Sequence, residues 1–388
     1  MQAVSPPPSG RPEHALLLAV ARSAADPARE AEQAADGVDW EAFLALARRN
    51  RLLPHAHRLL ATWEPVPETV RSLLRTEFLA NGNRALGRAA ELRRLIRAME
   101  EAGVTAAAYK GPALAVRAYG HLGLRTYADL DLLVAPADVP AAAGVLEGCG
   151  YRSAYAFSPA QDAVFRRTDG DYPYHHPRTA ALVELHCHVS SARFCATLPS
   201  AELIARARPV PIGGGEVPAP ADDDLFLALC LHGAKHRWAR LEWLAAAAAL
   251  ARRAGVDLDA AVRRASAAGA RRTTLLALLL ARDALGLPVT ESIGRALAAD
   301  PVLHALAGEA RALWLDAAAD EYDTAANLRF NFRLRDGAAD RARYAARWLF
   351  VPSPEDWAWV RLPDALAPLY RVLRPLRLAA RYGRRRRA

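Results

Sequence analysis

YKGPALAVRAYGHLGLRTYADLDLLV, residues 109–134, carries its own punctuation. Gly111 permits close backbone approach and Pro112 suits the start of a helix, so a strand ending at Tyr109 turns at Lys110 and Gly111 into a helix N-terminus. Such a terminus offers free N–H groups to anions, and Lys110 adds a mobile positive charge suited to a phosphate. At the far end of the stretch, DLDLLV occupies 129–134. Strand alternation sends Asp129 and Asp131 to one face and Leu130 and Leu132 to the other. Two carboxylates on one face repel each other unless a cation neutralises them. Mg²⁺ does so, taking one or two carboxylates together with waters and phosphate oxygens.

Downstream, ALVELHCHV at 181–189 alternates Val183, Leu185 and Cys187 with Glu184, His186 and His188. Read as a strand, it has one apolar face and one face carrying a carboxylate and two imidazoles. Placed beside DLDLLV it brings Glu184 to the aspartate pair, and three carboxylates on adjacent strands can hold two metal ions for in-line displacement at phosphorus. Asp129, Asp131 and Glu184 are therefore the candidate catalytic and metal-ligating residues. VTAAAY (104–109), YRSAYAF (151–157) and DYPYHH (171–176) are further short β-compatible runs separated by Gly, Pro and Asp. Residues 103–210 read as an α/β or α+β core.

Helical periodicity surrounds this core. From 13 to 102 apolar residues recur at three- and four-residue spacings, as in Trp40, Phe43, Leu44 and Leu46. After the GGG turn at 213–215 the same period resumes over 220–388, with Asp222 to Asp224 as an acidic first turn. One long helix is expected over 225–253, then helices near 257–285 and 290–316. In the first of these, His232 and His236 lie four residues apart on one face with Lys235 beside them. With no HExxH glutamate and no third ligand, they read as cleft-lining residues rather than a zinc site.

Composition bounds the class. The chain has 388 residues, 52% hydrophobic, enough for real cores and too apolar for a disordered protein. No apolar run reaches the roughly 18 residues a membrane span needs. The net charge of +9 favours an anionic partner. Within the basic set 49 residues are Arg and two, Lys110 and Lys235, are Lys, which singles those two out. The four cysteines form no CxxC pair, so reduced thiols and a cytoplasmic setting are expected. No GxSxG elbow, Walker A loop or GxGxxG fingerprint is present. Residues 1–12, rich in Pro and Ser, read as a disordered arm. The Arg-rich tail reads as solvated charge or a surface for an acidic partner.

KGPAL, Arg125 and DLDLLV, followed by ELH about fifty residues on, together with HGAKHRWARLEWL and LYRVLRPLRL, resemble the uncharacterised nucleotidyltransferase family of the DNA polymerase β-like superfamily. The likeness runs over about residues 15–380. It implies an α+β fold, a small mixed-sheet nucleotidyltransferase core flanked by N-terminal and C-terminal helical regions. It also implies Mg²⁺-dependent transfer of a nucleotidyl group from a nucleoside triphosphate such as ATP to an unidentified acceptor, small molecule, peptide or polymer. On it, Asp129, Asp131 and Glu184 hold one or two Mg²⁺ ions, Lys110, Gly111 and Arg125 hold phosphate, and His186, His232, Lys235 and His236 are candidates for the cleft. Two departures from the superfamily pattern are Pro112, where a second small residue is usual, and Glu184, where Asp is commoner. They leave two alternatives, a non-catalytic binding protein on the same fold and nucleotidyl transfer to RNA.

Overall fold

Five short strands carry the polar motifs: β1 (Ala106–Ala108), β2 (Asp129–Val134), β3 (Arg152–Ser153), β4 (Asp171–His175) and β5 (Leu182–His186). In the computed structural model, which describes residues 10–26, 37–194, 196, 198–320 and 323–384, they form one mixed sheet in the order β1-β2-β5-β4-β3. The β2–β5 pair is parallel and the others are antiparallel. A parallel pair needs a long crossover, and the helices Val139–Gly148 and Pro159–Thr168 with β3 and β4 supply it. The fold is α+β, as the sequence implied, and 65% helical.

Alternation divides the sheet cleanly. Leu130, Leu132, Val183, Leu185, Tyr172 and Tyr174 are buried on one face, against Leu92, Leu95, Ile96 and Met99 of the helix Glu68–Glu101. The other face carries the acidic and imidazole side chains. At 34 residues the Glu68–Glu101 helix is about 50 Å long, and its first turns serve a different core. There Val70 and Leu74 join Leu17, Phe43 and Leu60 from the N-terminal helices and Leu244, Leu278 and Leu303 from the C-terminal ones. The two helical regions, distant in sequence, are one hydrophobic body packed over the polar face of the sheet.

The single helix expected over 225–253 is two, Asp222–Lys235 and Leu241–Ala254. After Lys235 the Trp238 N–H donates to the Gly233 carbonyl at 2.7 Å and the Arg237 N–H to the Ala234 carbonyl at 3.1 Å, with Arg237 at φ +56°. This is a Schellman termination in which arginine fills the left-handed position that glycine usually takes, so no glycine announces the stop. Buried Trp238 folds back on Gly233, where an added Cβ would lie 2.4 Å from its ring. The stretches 257–285 and 290–316 are likewise each two helices, Leu258–Ala267 with Arg271–Leu285 and Glu291–Ala298 with Pro301–Trp314.

The GGG run closes a hairpin of β6 (Arg208–Ile212) and β7 (Gly215–Ala219), with Gly213 and Gly214 at φ +53° and +84°, the paired positive φ of a tight hairpin turn. The first described helix is Pro12–Ala25; residues 1–9 of the expected arm, Cys195 and Arg385 to Arg387 lie outside the described residues. Part of the basic tail has internal partners. In the helix Tyr370–Arg384, Arg374 pairs with buried Asp356 at 2.6 Å and Arg377 joins the same carboxylate. Beside Asp356, Trp357 packs edge-on against Phe157 at 4.9 Å between ring centroids.

Candidate active site

The register of β2, β5 and β4 builds the polar face. Asp131 stands opposite Glu184 and Leu133 opposite His186 across β2–β5, while His186 stands opposite Asp171 across β4–β5. His186 is the hub. Its Nδ1 lies 2.9 Å from Asp171, and its Nε2 lies 3.0 Å from Asp131 and 3.3 Å from Glu184. Lys110, capping the helix Gly111–Tyr119, sets its Nζ 2.6 Å from the same Asp131 oxygen. Lys235, last residue of its helix, reaches Asp171 at 3.4 Å.

Electrostatics follow from this crowding. Burial alone would raise the Asp131 carboxyl, but Lys110 and His186 outweigh it and hold the group well below the usual carboxylate range. Burial would likewise discharge His186, yet Asp171 and Asp131 hold it well above its ordinary value. Asp129, at the start of β2, goes the other way. Burial first, then the negative charge of Asp131 and Glu184, raises its carboxyl.

These residues line a cleft of about 300 Å³ between the sheet and the C-terminal helices. Arg125 lines it from behind, tied at 3.1 Å to Glu242, whose side chain is fully buried. His232 and His236 line it too, their rings 5.0 Å apart and each 5.2 Å from the Trp243 ring. Burial, then neighbouring cations and histidine, lowers His232 well below its ordinary value, and burial with Lys235 lowers His236 to about 3. Both are neutral near pH 7. Gly111 is buried at φ +49° and serves the turn; the nearest atom to an added Cβ would be the Asp129 carbonyl at 3.8 Å. His188 departs from the expected polar face. The strand ends at His186, alternation ends with it, and His188 Nε2–H donates to the Arg166 carbonyl at 2.7 Å.

Asp171, Glu242 and Trp243 escaped the sequence reading, as did two further cleft cations, Arg51 and Arg240. DYPYHH contains Asp171 at a strand position, but only the β4–β5 pairing turns that position toward His186. Nothing in the local pattern marks Glu242 or Trp243 apart from an ordinary amphipathic helix.

A family model described as uncharacterised nucleotidyltransferase matches residues 36–286. The chain belongs to that family. It is thus a transferase of phosphorus-containing groups, and the matched span holds the sheet, the cleft and the helices that close it. No curated protein and no solved structure matches the chain. Nucleotidyltransferases typically use a nucleoside triphosphate and a divalent metal. The residues present fit such an ion: one donor atom each from Asp131, Glu184 and His186 lie within 4.8 Å of one another. Asp129 is outside that group and stands beside it on the same strand face.

Proposed function

We propose that this nucleotidyltransferase binds a Mg²⁺-bound nucleoside triphosphate in the cleft and transfers its nucleotidyl group to an unidentified small-molecule, peptide or polymer acceptor. The observation that carries the reading is the in-register placement of Asp131 beside Glu184 with Asp129 on the same face. Asp131 and Glu184 would hold the ion, with Asp129 as a further carboxylate at the rim; His186 would join them only as the neutral imidazole, its proton displaced by the ion. When bound, Mg²⁺ supplies Lewis-acid stabilisation of the charge that develops on the phosphoryl oxygens.

The chain's own cations supply the rest of the charge. Lys110, Lys235, Arg125, Arg51 and Arg240 converge on the cleft, a number suited to a triphosphate tail. Lys110 acts as a compact point charge on a flexible stem, able to exchange Asp131 for a phosphate oxygen; Arg125 is fixed by Glu242 and acts by its field. The neutral rings of His232 and His236 with Trp243, tilted 45–81° to one another, offer an aromatic corner against which a nucleobase can stack on one ring. In the transfer an acceptor oxygen or nitrogen bonds to the α-phosphorus and the bond to the bridging oxygen of the β-phosphate breaks. Pyrophosphate leaves with the electron pair, and the acceptor's proton passes to solvent. Positioning and preorganised charge do most of this work. Cys149, Cys187 and Cys230 are free thiols, which supports a reducing, cytoplasmic setting.

Isothermal titration with ATP, CTP, GTP and UTP in Mg²⁺ tests the reading. At least one nucleotide binds the native protein, binding is lost in EDTA, and Asp131→Ala weakens it up to about 100-fold. Failure of all four to bind would sink the proposal. Incubating total tRNA or small-molecule pools with α-labelled nucleotide then separates an RNA acceptor from a small one.

A further inference from the structure

A second cavity, of about 610 Å³, opens where the Glu68–Glu101 helix passes the turn before β5. Its volume lies in the range of small-ligand sites. Leu130, Cys149 and Leu182 give it an apolar floor, and Leu182 is 46% exposed. Arg84 and Arg88 line it from the helix and Arg178 from the turn. Among the described residues these three guanidinium groups have no ion-pair or hydrogen-bond partner; Arg88 rests 5.8 Å from the Tyr127 ring centre. The nearby acid does not serve them. Glu91 is taken by a two-pronged contact from Arg94 at 2.7 and 2.9 Å and by the Tyr151 hydroxyl at 2.7 Å.

An arginine-rich composition does not by itself produce this arrangement. Elsewhere in the chain arginines find internal acids, as in Arg117 with Asp222 and Arg272 with Asp300. The turn that presents Arg178 is also built rather than loose: His176 Nδ1 accepts the N–H groups of Arg178 and Thr179 at 3.2 and 3.3 Å. Ala180, which lines the cavity, is held at φ +54°, a costly conformation for a residue with a Cβ.

The cavity and the cleft share no lining residue but are neighbours at the start of β2 and β5, where Asp129 lines the cleft and the adjacent Leu130 and Leu182 line the cavity. Leu182 is the register partner of Asp129 and lies two residues before Glu184 on the same strand face. Tyr127 lines the cleft, and its ring takes Arg88 from the cavity side and Arg125 from the cleft, each at 5.8 Å. We propose that this cavity binds the acceptor, and that the acceptor is a small molecule with an apolar body and an oxyanion, phosphate or carboxylate. Arg84, Arg88 and Arg178 grip the oxyanion while the apolar floor holds the body, leaving the nucleophilic end at the Asp129 rim. The proposal rests on the nucleotidyl-transfer reading of the cleft.

Phenyl phosphate, benzoate and neutral benzyl alcohol are titrated into the full chain by calorimetry, first alone and then with a non-hydrolysable nucleotide and Mg²⁺. An oxyanion probe binds in both conditions, benzyl alcohol does not, and Arg84→Ser/Arg178→Ser weakens the probe about tenfold or more. The double variant keeps nucleotide affinity within about twofold of native, as expected for residues outside the cleft. Phenyl phosphate against benzoate decides between phosphate and carboxylate. The proposal falls if neither probe binds, if the double variant binds them equally well, or if nucleotide displaces them. Failure of the nucleotide alone to bind would overturn the reading of the cleft, and the nucleotide-free titration would still report on the cavity.

Discussion

Glu242 and His55 show how single buried groups set the stability of this chain. Glu242 has a fully buried side chain; one oxygen accepts from Arg125 at 3.1 Å and the other has no hydrogen-bond partner. Removing it by Glu242→Ala leaves the Arg125 charge buried and uncompensated, a change that costs about 3–5 kcal/mol. Urea unfolding measures it, and a loss under about 1 kcal/mol would show that the pair is solvated. His55 is fully buried with neither ring nitrogen hydrogen-bonded, its ring edge-on to Tyr119 at 4.5 Å. Burial, with Arg58, lowers it from 6.5 to about 3. Because the folded value lies below the unfolded one, the unfolded chain takes the proton first as pH falls. The contribution of neutral His55 is full above pH 6.5 and is lost progressively as pH drops toward 3. We expect each such histidine to add up to about 1.4 kcal/mol per pH unit to the acid slope. His55→Leu should flatten the fall in stability between pH 6 and 4 by about that slope; parallel curves would refute it. No sequence pattern marks His55, since LPHAHRLL reads as any amphipathic helix.

Among the elements, the termination after Lys235 does most to shape the site. It stops one helix with Lys235 and His236 at the cleft, and starts the next so that Arg240 and Trp243 reach the same space and Glu242 reaches Arg125 behind it. The stop depends on Gly233 making room for the Trp238 ring. Gly233→Ala forces a Cβ into buried indole, an overpacking that we expect to cost about 1–3 kcal/mol. Thermal denaturation reads the loss, and nucleotide binding should weaken with it; an unchanged Tm would mean that Trp238 can move aside. β2 and the Leu182–His186 stretch of β5 were legible because alternating polar and apolar residues carry the strand period directly in DLDLLV and VELH, although the alternation expected to run on to His188 stops at His186. The helix break was not. Its left-handed position holds Arg237, whose side chain is held by Asn327 at 2.8 Å and the Asp320 carbonyl at 2.8 Å, so tertiary contacts stand in for the missing glycine.

For the whole molecule, two cores share the Glu68–Glu101 helix, and the C-terminal segment closes the sheet side. Trp357 and Tyr370 belong to the sheet core, and Asp356 ties Arg374 and Arg377 to it. A chain ending at residue 353 should therefore uncover Phe157 and Phe165, bind the dye ANS and unfold at lower temperature. A truncated protein with native Tm and no dye binding would show that the segment is only an appendage. The sequence by itself determined the class of fold, the two carboxylate strands and the Lys110 turn. Those features are written in periods of two and in Gly and Pro chemistry, which act between neighbours in the chain. Only the tertiary structure decided that His186 sits between Asp131 and Asp171, that Glu242 holds Arg125, and that one acid stands at the rim. Those outcomes depend on which strands pair and where a helix stops, and such contacts join residues between 15 and 117 positions apart.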